Sequence, residues 1–178
     1  MAAQDVAAQV VDVLCGKPAR YAVNAAFIPV EMLATLTPFM HAATVLGRLA
    51  SQMVEGQASS IRIKYEGEIS NYDTNILKAS ILSGLLEQIS DERINMVNAN
   101  LVAARRGLTI VEQKEPTCRN YASLITIEAV TAKGNIAIAG TVLRNETHIV
   151  RANNYWFDIE CGCICWNVCV VHCFEYLC

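Results

Sequence analysis

Two adjacent arginines, Arg105 and Arg106, followed at once by Gly107, are the residues best suited to chemistry in this chain. A guanidinium is a planar fork of donors that matches phosphate or carboxylate. A pair of them at a helix end can form a cationic rim for a small anion. The elements that would position them lie just upstream. Ile94 to Val97 read as a short, buried extended segment. Asn98 or Asn100 can cap the first free N–H groups of a helix, and Leu101 to Ala104 continue it. Arg105 and Arg106 then occupy its last turn, where cations suit the negative end of the helix dipole. Gly107 supplies the left-handed residue that stops it. The same residues also read as an ordinary capped helix with solvated arginines.

Other chemistries find less support. A dinucleotide site needs G-x-G-x-x-G between a strand and a helix, and the nine glycines are scattered singly. A nucleophile elbow of the form G-x-S-x-G is absent, and neither His41 nor His148 has an evident serine or cysteine partner. His41 reads as a surface or satisfied structural histidine. The cysteines are unevenly placed. Cys15 and Cys118 are the only two before residue 161, whereas Cys161, Cys163, Cys165, Cys169, Cys173 and Cys178 crowd the end. With His172 they offer soft ligands for zinc, but C-x-C-x-C strains a single tetrahedral site. A disulfide framework would spread its cysteines over the fold. The pattern sets residues 161–178 apart, as a Cys-rich tail that differs in kind from the rest of the chain.

Composition frames these options. The 178 residues are 53% hydrophobic and 17% charged, enough for one domain with a substantial core. A net charge of −3 gives no support for general nucleic-acid binding. There is no apolar run of about 18 residues to span a membrane, and no basic start before an apolar run to mark a secretory signal. A cytoplasmic setting is the default, or a plastid if the source is a plant.

The periodicity predicts the elements. Residues 2–15 read as a helix ended by Gly16, and Arg20 to Asn24 as a short extended segment. Residues 30–36 form a short helical piece, and Thr37-Pro38 restart the pattern. A second helix then carries Met40, Ala43, Leu46, Ala50 and Met53 on one face to about Val54. Gly47, in the middle of it, invites another element to approach closely. Ile61, Ile63 and Tyr65 alternate with Arg62, Lys64 and Glu66, as in a half-buried strand. Asp73 or Thr74 caps a core helix over 75–89 built on Leu77, Ile81, Leu85 and Ile89. From Leu108 the period is that of strands, with turns at Lys133-Gly134-Asn135 and Asn153-Asn154. The fold class is α+β: a mainly antiparallel sheet with helices packed on one face.

The wording of several stretches adds a resemblance. Arg93 to Ala99, followed by Arg106-Gly107, matches R-[VI]-N-x-V-N-A and the short helix ending in R-G. Tyr21-Ala22-Val23-Asn24-Ala25, Leu46-Gly47-Arg48-Leu49-Ala50, Tyr65 to Ile69, Gly84-Leu85-Leu86-Glu87 and Ala139-Gly140-Thr141 match in the same order. The ordered set resembles the intervening, or allosteric substrate-binding, domain of long-form D-3-phosphoglycerate dehydrogenases. No single motif is specific, but their order is.

The resemblance implies a division of the chain. Residues 1–16 would be the remnant C-terminal helix of the catalytic part, 17–160 the intervening domain, and 161–178 a tail in place of the serine-sensing ACT domain. It also implies a regulatory domain that catalyses nothing by itself. The NAD of the parent family has no site in this chain, and no cofactor is expected here. The expected partners are a small anion such as 3-phosphoglycerate or phosphate, and dehydrogenase domains or further copies of the chain. In some members basic side chains flanking the last hairpin hold the anion. Those positions fall at His148 and about Glu160, neither of which is Lys or Arg. Arg105, Arg106, Lys114, Arg144 and Arg151 are then the candidate substitutes beside His148. The alternative is a structural or oligomerisation module with no ligand.

Overall fold

The structure, a computed structural model, describes residues 30–87, 89–90 and 92–161. The helix expected at 2–15, the extended segment at Arg20 to Asn24, and the tail beyond Cys161 lie outside the described residues.

Helix α1 runs unbroken over Val30–Met53 with Pro38 inside it, where the sequence predicts two pieces meeting at Thr37-Pro38. An internal proline removes the N–H that would bond the carbonyl four residues back. That carbonyl belongs to Ala34, which is exposed, so water can serve it and the helix continues. Leu36, Ala43, Leu46, Leu49 and Ala50 form its buried face. Strand β1 (Ala58–Gly67) keeps its alternation. Ile61, Ile63 and Tyr65 are fully buried, while Arg62 reaches Glu128 at 2.8 Å and Lys64 reaches Glu66 at 2.8 Å on the other face.

A 3₁₀ turn (Glu68–Asn71) leads to α2 (Asn75–Glu87) and then α3 (Ala99–Arg105). Asp73 caps α2, its Oδ1 accepting from Asn75 N at 3.0 Å. The helix ends at Glu87, so Ile89, expected in its core face, is 52% exposed. These helices form the crossover that lets β2 (Thr109–Glu115) pair parallel with β1, since parallel neighbours cannot be joined by a hairpin. The remaining strands are antiparallel: β3 (Ser123–Thr131), β4 (Gly134–Leu143), β5 (Glu146–Ala152) and β6 (Tyr155–Glu160). The sheet order is β2-β1-β3-β4-β5-β6.

The turns follow their residue types. Arg144 and Asn145 both take positive φ, 51° and 71°, as a two-residue hairpin turn of the primed kind requires. Asn153 does so at the next turn. One core joins α1, α2 and α3 to the sheet face carrying Ile61, Ile63, Tyr65, Ile125, Ile127, Ile138 and Ile149. On the opposite face Leu124, Ala139 and Val150 form a smaller cluster under Cys118 and Tyr121. Among the described residues no helix is long and apolar enough to cross a membrane.

Candidate functional site

The loop before α3 differs from its sequence reading in a way that matters for the arginines. Ile94 to Val97 are not a buried extended segment; Met96 and Val97 are 45% and 60% exposed in a turn. Asn98 occupies the cap position of α3, yet its side chain bonds no N–H inside the helix. It looks backward instead. Its Oδ1 accepts from Asn95 N at 2.8 Å and its Nδ2 donates to Arg93 O at 3.0 Å. Asn95 performs the capping chemistry, its Oδ1 accepting from Val97 N at 2.9 Å and Asn98 N at 3.0 Å. A side-chain amide can satisfy backbone donors two or three residues on without a helix being present. Gly107 ends α3 with φ of 70°, as expected.

The candidate cations do not converge. Arg106 donates from Nη2 to Ile89 O at 2.7 Å and lines a hollow of about 340 Å³ with Val54, Leu85, Leu86 and Leu108. That hollow adjoins the C-terminal ends of α1 and α2, where the helix dipoles are negative. The guanidinium is thus engaged by one carbonyl, that of Ile89, just beyond the end of α2. Lys114 lies near the other end of β2, donating to Tyr72 O at 2.7 Å. Arg151, on β5, donates from Nε to Asn153 O at 2.7 Å and stacks over Trp156 at 5.5 Å. Arg105 and Arg144 are exposed, and no hydrogen bond or ion pair engages either among the described residues. Arg105 precedes β2 and Arg144 precedes β5. Four strand intervals separate β2 from β5, about 19 Å at the usual spacing. The six residues are thus dispersed over opposite ends and edges of the sheet, because each strand reverses or shifts the position of the next.

Around His148 the structure collects different chemistry. His148 and Glu160 are direct partners across β5 and β6. Glu146, two residues before His148, shares its face. His148 Nδ1 meets Asp158 Oδ1 at 2.6 Å, and the imidazole side chain is 15% exposed. Ligand atoms of Glu146, His148 and Glu160 lie within 4.8 Å of one another. Tyr121 stands beside this group. Burial, and then the Asp158 carboxylate and Cys118, push its hydroxyl above the ordinary tyrosine value. Three carboxylates around one imidazole make this face anionic, opposite in sign to what an anion site requires. The resemblance already places His148 and Glu160 on either side of the last hairpin, and the strand register adds Glu146 and Asp158 to them. His41, by contrast, is satisfied as expected, with Nδ1 3.1 Å from Thr147 Oγ1.

A helix layer on one face of a mainly antiparallel sheet, reached by one parallel crossover strand, defines an α+β sheet domain in which three of the candidate cations, Arg106, Lys114 and Arg151, tie its own backbone. Residues 35–153, from within α1 to the last hairpin turn, match the family model of the D-3-phosphoglycerate dehydrogenase intervening domain, and the chain belongs to that family. It is similar to D-3-phosphoglycerate dehydrogenase of Methanocaldococcus jannaschii, at 33% identity over 84% of this chain and 28% of that protein. The enzyme of Synechocystis sp. is 33% identical over 80% of this chain and 26% of its own length. D-3-phosphoglycerate dehydrogenase 2, chloroplastic, of Arabidopsis thaliana is 32% identical over 88% of this chain and 28% of its own. The chain thus spans less than a third of the curated relatives it matches.

Proposed function

We propose that this chain acts as a regulatory, non-catalytic intervening domain within a D-3-phosphoglycerate dehydrogenase system. The reaction it would serve is the NAD-dependent oxidation of 3-phosphoglycerate to 3-phosphohydroxypyruvate, the first step of L-serine biosynthesis. The observation that carries the reading is the family match at 35–153, which takes in most of the helix layer and all but the last strand of the sheet. Its partners in this role are dehydrogenase domains, or further copies of the chain, and a small anion such as 3-phosphoglycerate. Arg105 and Arg144 are the anion contacts to test first, because Arg106, Lys114 and Arg151 already donate to backbone carbonyls.

A thermal-shift titration with 3-phosphoglycerate, with inorganic sulfate as charge control, tests the reading. The regulatory role predicts a saturable stabilisation, about 2.7 kcal/mol at a hundredfold excess over Kd, reduced by Arg105→Ala or Arg144→Ala. An equal response to sulfate, or none, counts against effector binding. The commitment of three cations to the fold favours the second reading, a structural module without a ligand. Under that reading the chain still associates with dehydrogenase domains or with itself.

A further inference from the structure

We propose that Glu146, His148 and Glu160 form a binding site for one divalent transition-metal ion on the outer face of the last hairpin. The ligand set is an imidazole with two carboxylates, a combination suited to zinc, manganese or cobalt. Three features of the fold support it.

The first is rigidity. All three residues sit on strands, His148 and Glu160 in direct register, and Cys161 N donates to Thr147 O at 2.8 Å so that β6 cannot slip along β5. The second is the orientation of the ring. Asp158 Oδ1 occupies the Nδ1 side at 2.6 Å. In the neutral ring this leaves the lone pair on Nε2, the arrangement in which a carboxylate outside the ligand set fixes a metal-bound histidine. The third is charge. Elsewhere on the sheet Glu66, Glu112 and Glu128 each meet a lysine or arginine, and Glu115, at the end of β2, accepts from Thr117. Glu146 and Glu160 meet none among the described residues, although Asp158 stands on the same face. Like charges on neighbouring strands destabilise a sheet, and a bound dication would reverse that repulsion.

Geometry permits closure. The ligand atoms lie within 4.8 Å of one another, whereas bonds of about 2.0–2.2 Å bring ligands to within about 4.4 Å. The difference is within the reach of the two exposed glutamates by side-chain rotation. Three protein ligands leave a position for water or for an outside donor.

Manganese(II) chloride is the probe, because the thiolates of the Cys-rich tail are poorly matched to this ion. Titration of the full chain, followed by electron paramagnetic resonance of the free ion, is expected to show one manganese per chain, displaced by zinc. His148→Ala and Glu160→Gln are each expected to weaken binding at least tenfold while keeping the wild-type circular dichroism and melting temperature in EDTA. Asp158→Asn is expected to weaken it less. Failure of wild type to take up manganese, or uptake unchanged in both His148→Ala and Glu160→Gln, would overturn the proposal.

Discussion

Gly47 of α1 and Gly84 of α2 lie against each other's helix backbone. A Cβ built on Gly47 would fall inside the contact radius of Ile81 O and 3.0 Å from Leu85 N; one built on Gly84 would fall inside that of Thr44 O and 3.1 Å from Arg48 N. The reciprocity means that neither helix can retreat from one clash without changing the other contact. The pair sets how closely α1 and α2 approach within the helix layer, and Arg48 Nε closes the crossing on Glu87 at 2.7 Å.

Gly47→Ala and Gly84→Ala are therefore expected to destabilise. In an ordinary helix interior, replacing glycine by alanine gains about 1 kcal/mol. Here the methyl group meets backbone, and overpacking of this kind costs about 1–3 kcal/mol. Urea denaturation should show both variants less stable than wild type. A stabilised variant would mean that the helices can part without penalty.

Tyr65 is fully buried on β1, and its hydroxyl has no hydrogen-bond partner among the described residues. Burial raises its pKa well above the usual value, and the Glu112 carboxylate adds to the effect. An unsatisfied buried hydroxyl costs about 1–3 kcal/mol, so Tyr65→Phe is expected to leave stability unchanged or increase it by about 1 kcal/mol. The pH dependence has a definite sign. Above about pH 10 the unfolded chain releases the phenolic proton while the native state keeps it. The native state then holds more protons, and stability falls as pH rises. Denaturation midpoints between pH 9 and 11, chosen to span the free tyrosine value of about 10, should fall more steeply for wild type than for Tyr65→Phe.

Asn95 holds two backbone N–H groups, those of Val97 and Asn98. Asn95→Ala removes both acceptors and is expected to cost about 1 kcal/mol, the usual loss for a capping side chain. Asn100→Ala, at an exposed position within α3, should stay within about 0.5 kcal/mol. Equal effects in chemical denaturation would return the capping role to the helix's own asparagines.

Arg105 and Arg106 differ despite their adjacency. Arg106→Ala removes the donor to Ile89 O and is expected to lower stability by about 0.5–1.5 kcal/mol. Arg105→Ala is expected to leave stability within about 0.5 kcal/mol, and any effect it has should appear in anion titration instead. A larger stability loss from Arg105→Ala than from Arg106→Ala would reverse the assignment.

Much of the fold can be read locally. The alternation in β1, the glycine that stops α3 and the asparagine turn before β6 each depend on a few neighbouring residues whose stereochemistry acts alone, and the mid-helix glycine at 47 signals a close approach whose partner, α2, the fold supplies. The ordered motifs from Leu46 to Thr141 also carry the family. Tertiary structure decided three other matters. It kept α1 continuous through Pro38, because the freed carbonyl belongs to an exposed residue, Ala34. It moved the cap of the α3 loop from Asn98 to Asn95, because Asn98 Nδ2 reaches back to Arg93 O. It also separated the arginines and gathered Glu146, His148, Asp158 and Glu160. Strand order separates the arginines and is fixed by pairing between residues remote in the chain; the carboxylates meet His148 across the local hairpin turned at Asn153-Asn154, where only the irregularity between Ile149 and Arg151 that sets the final register is not encoded in residue type and spacing.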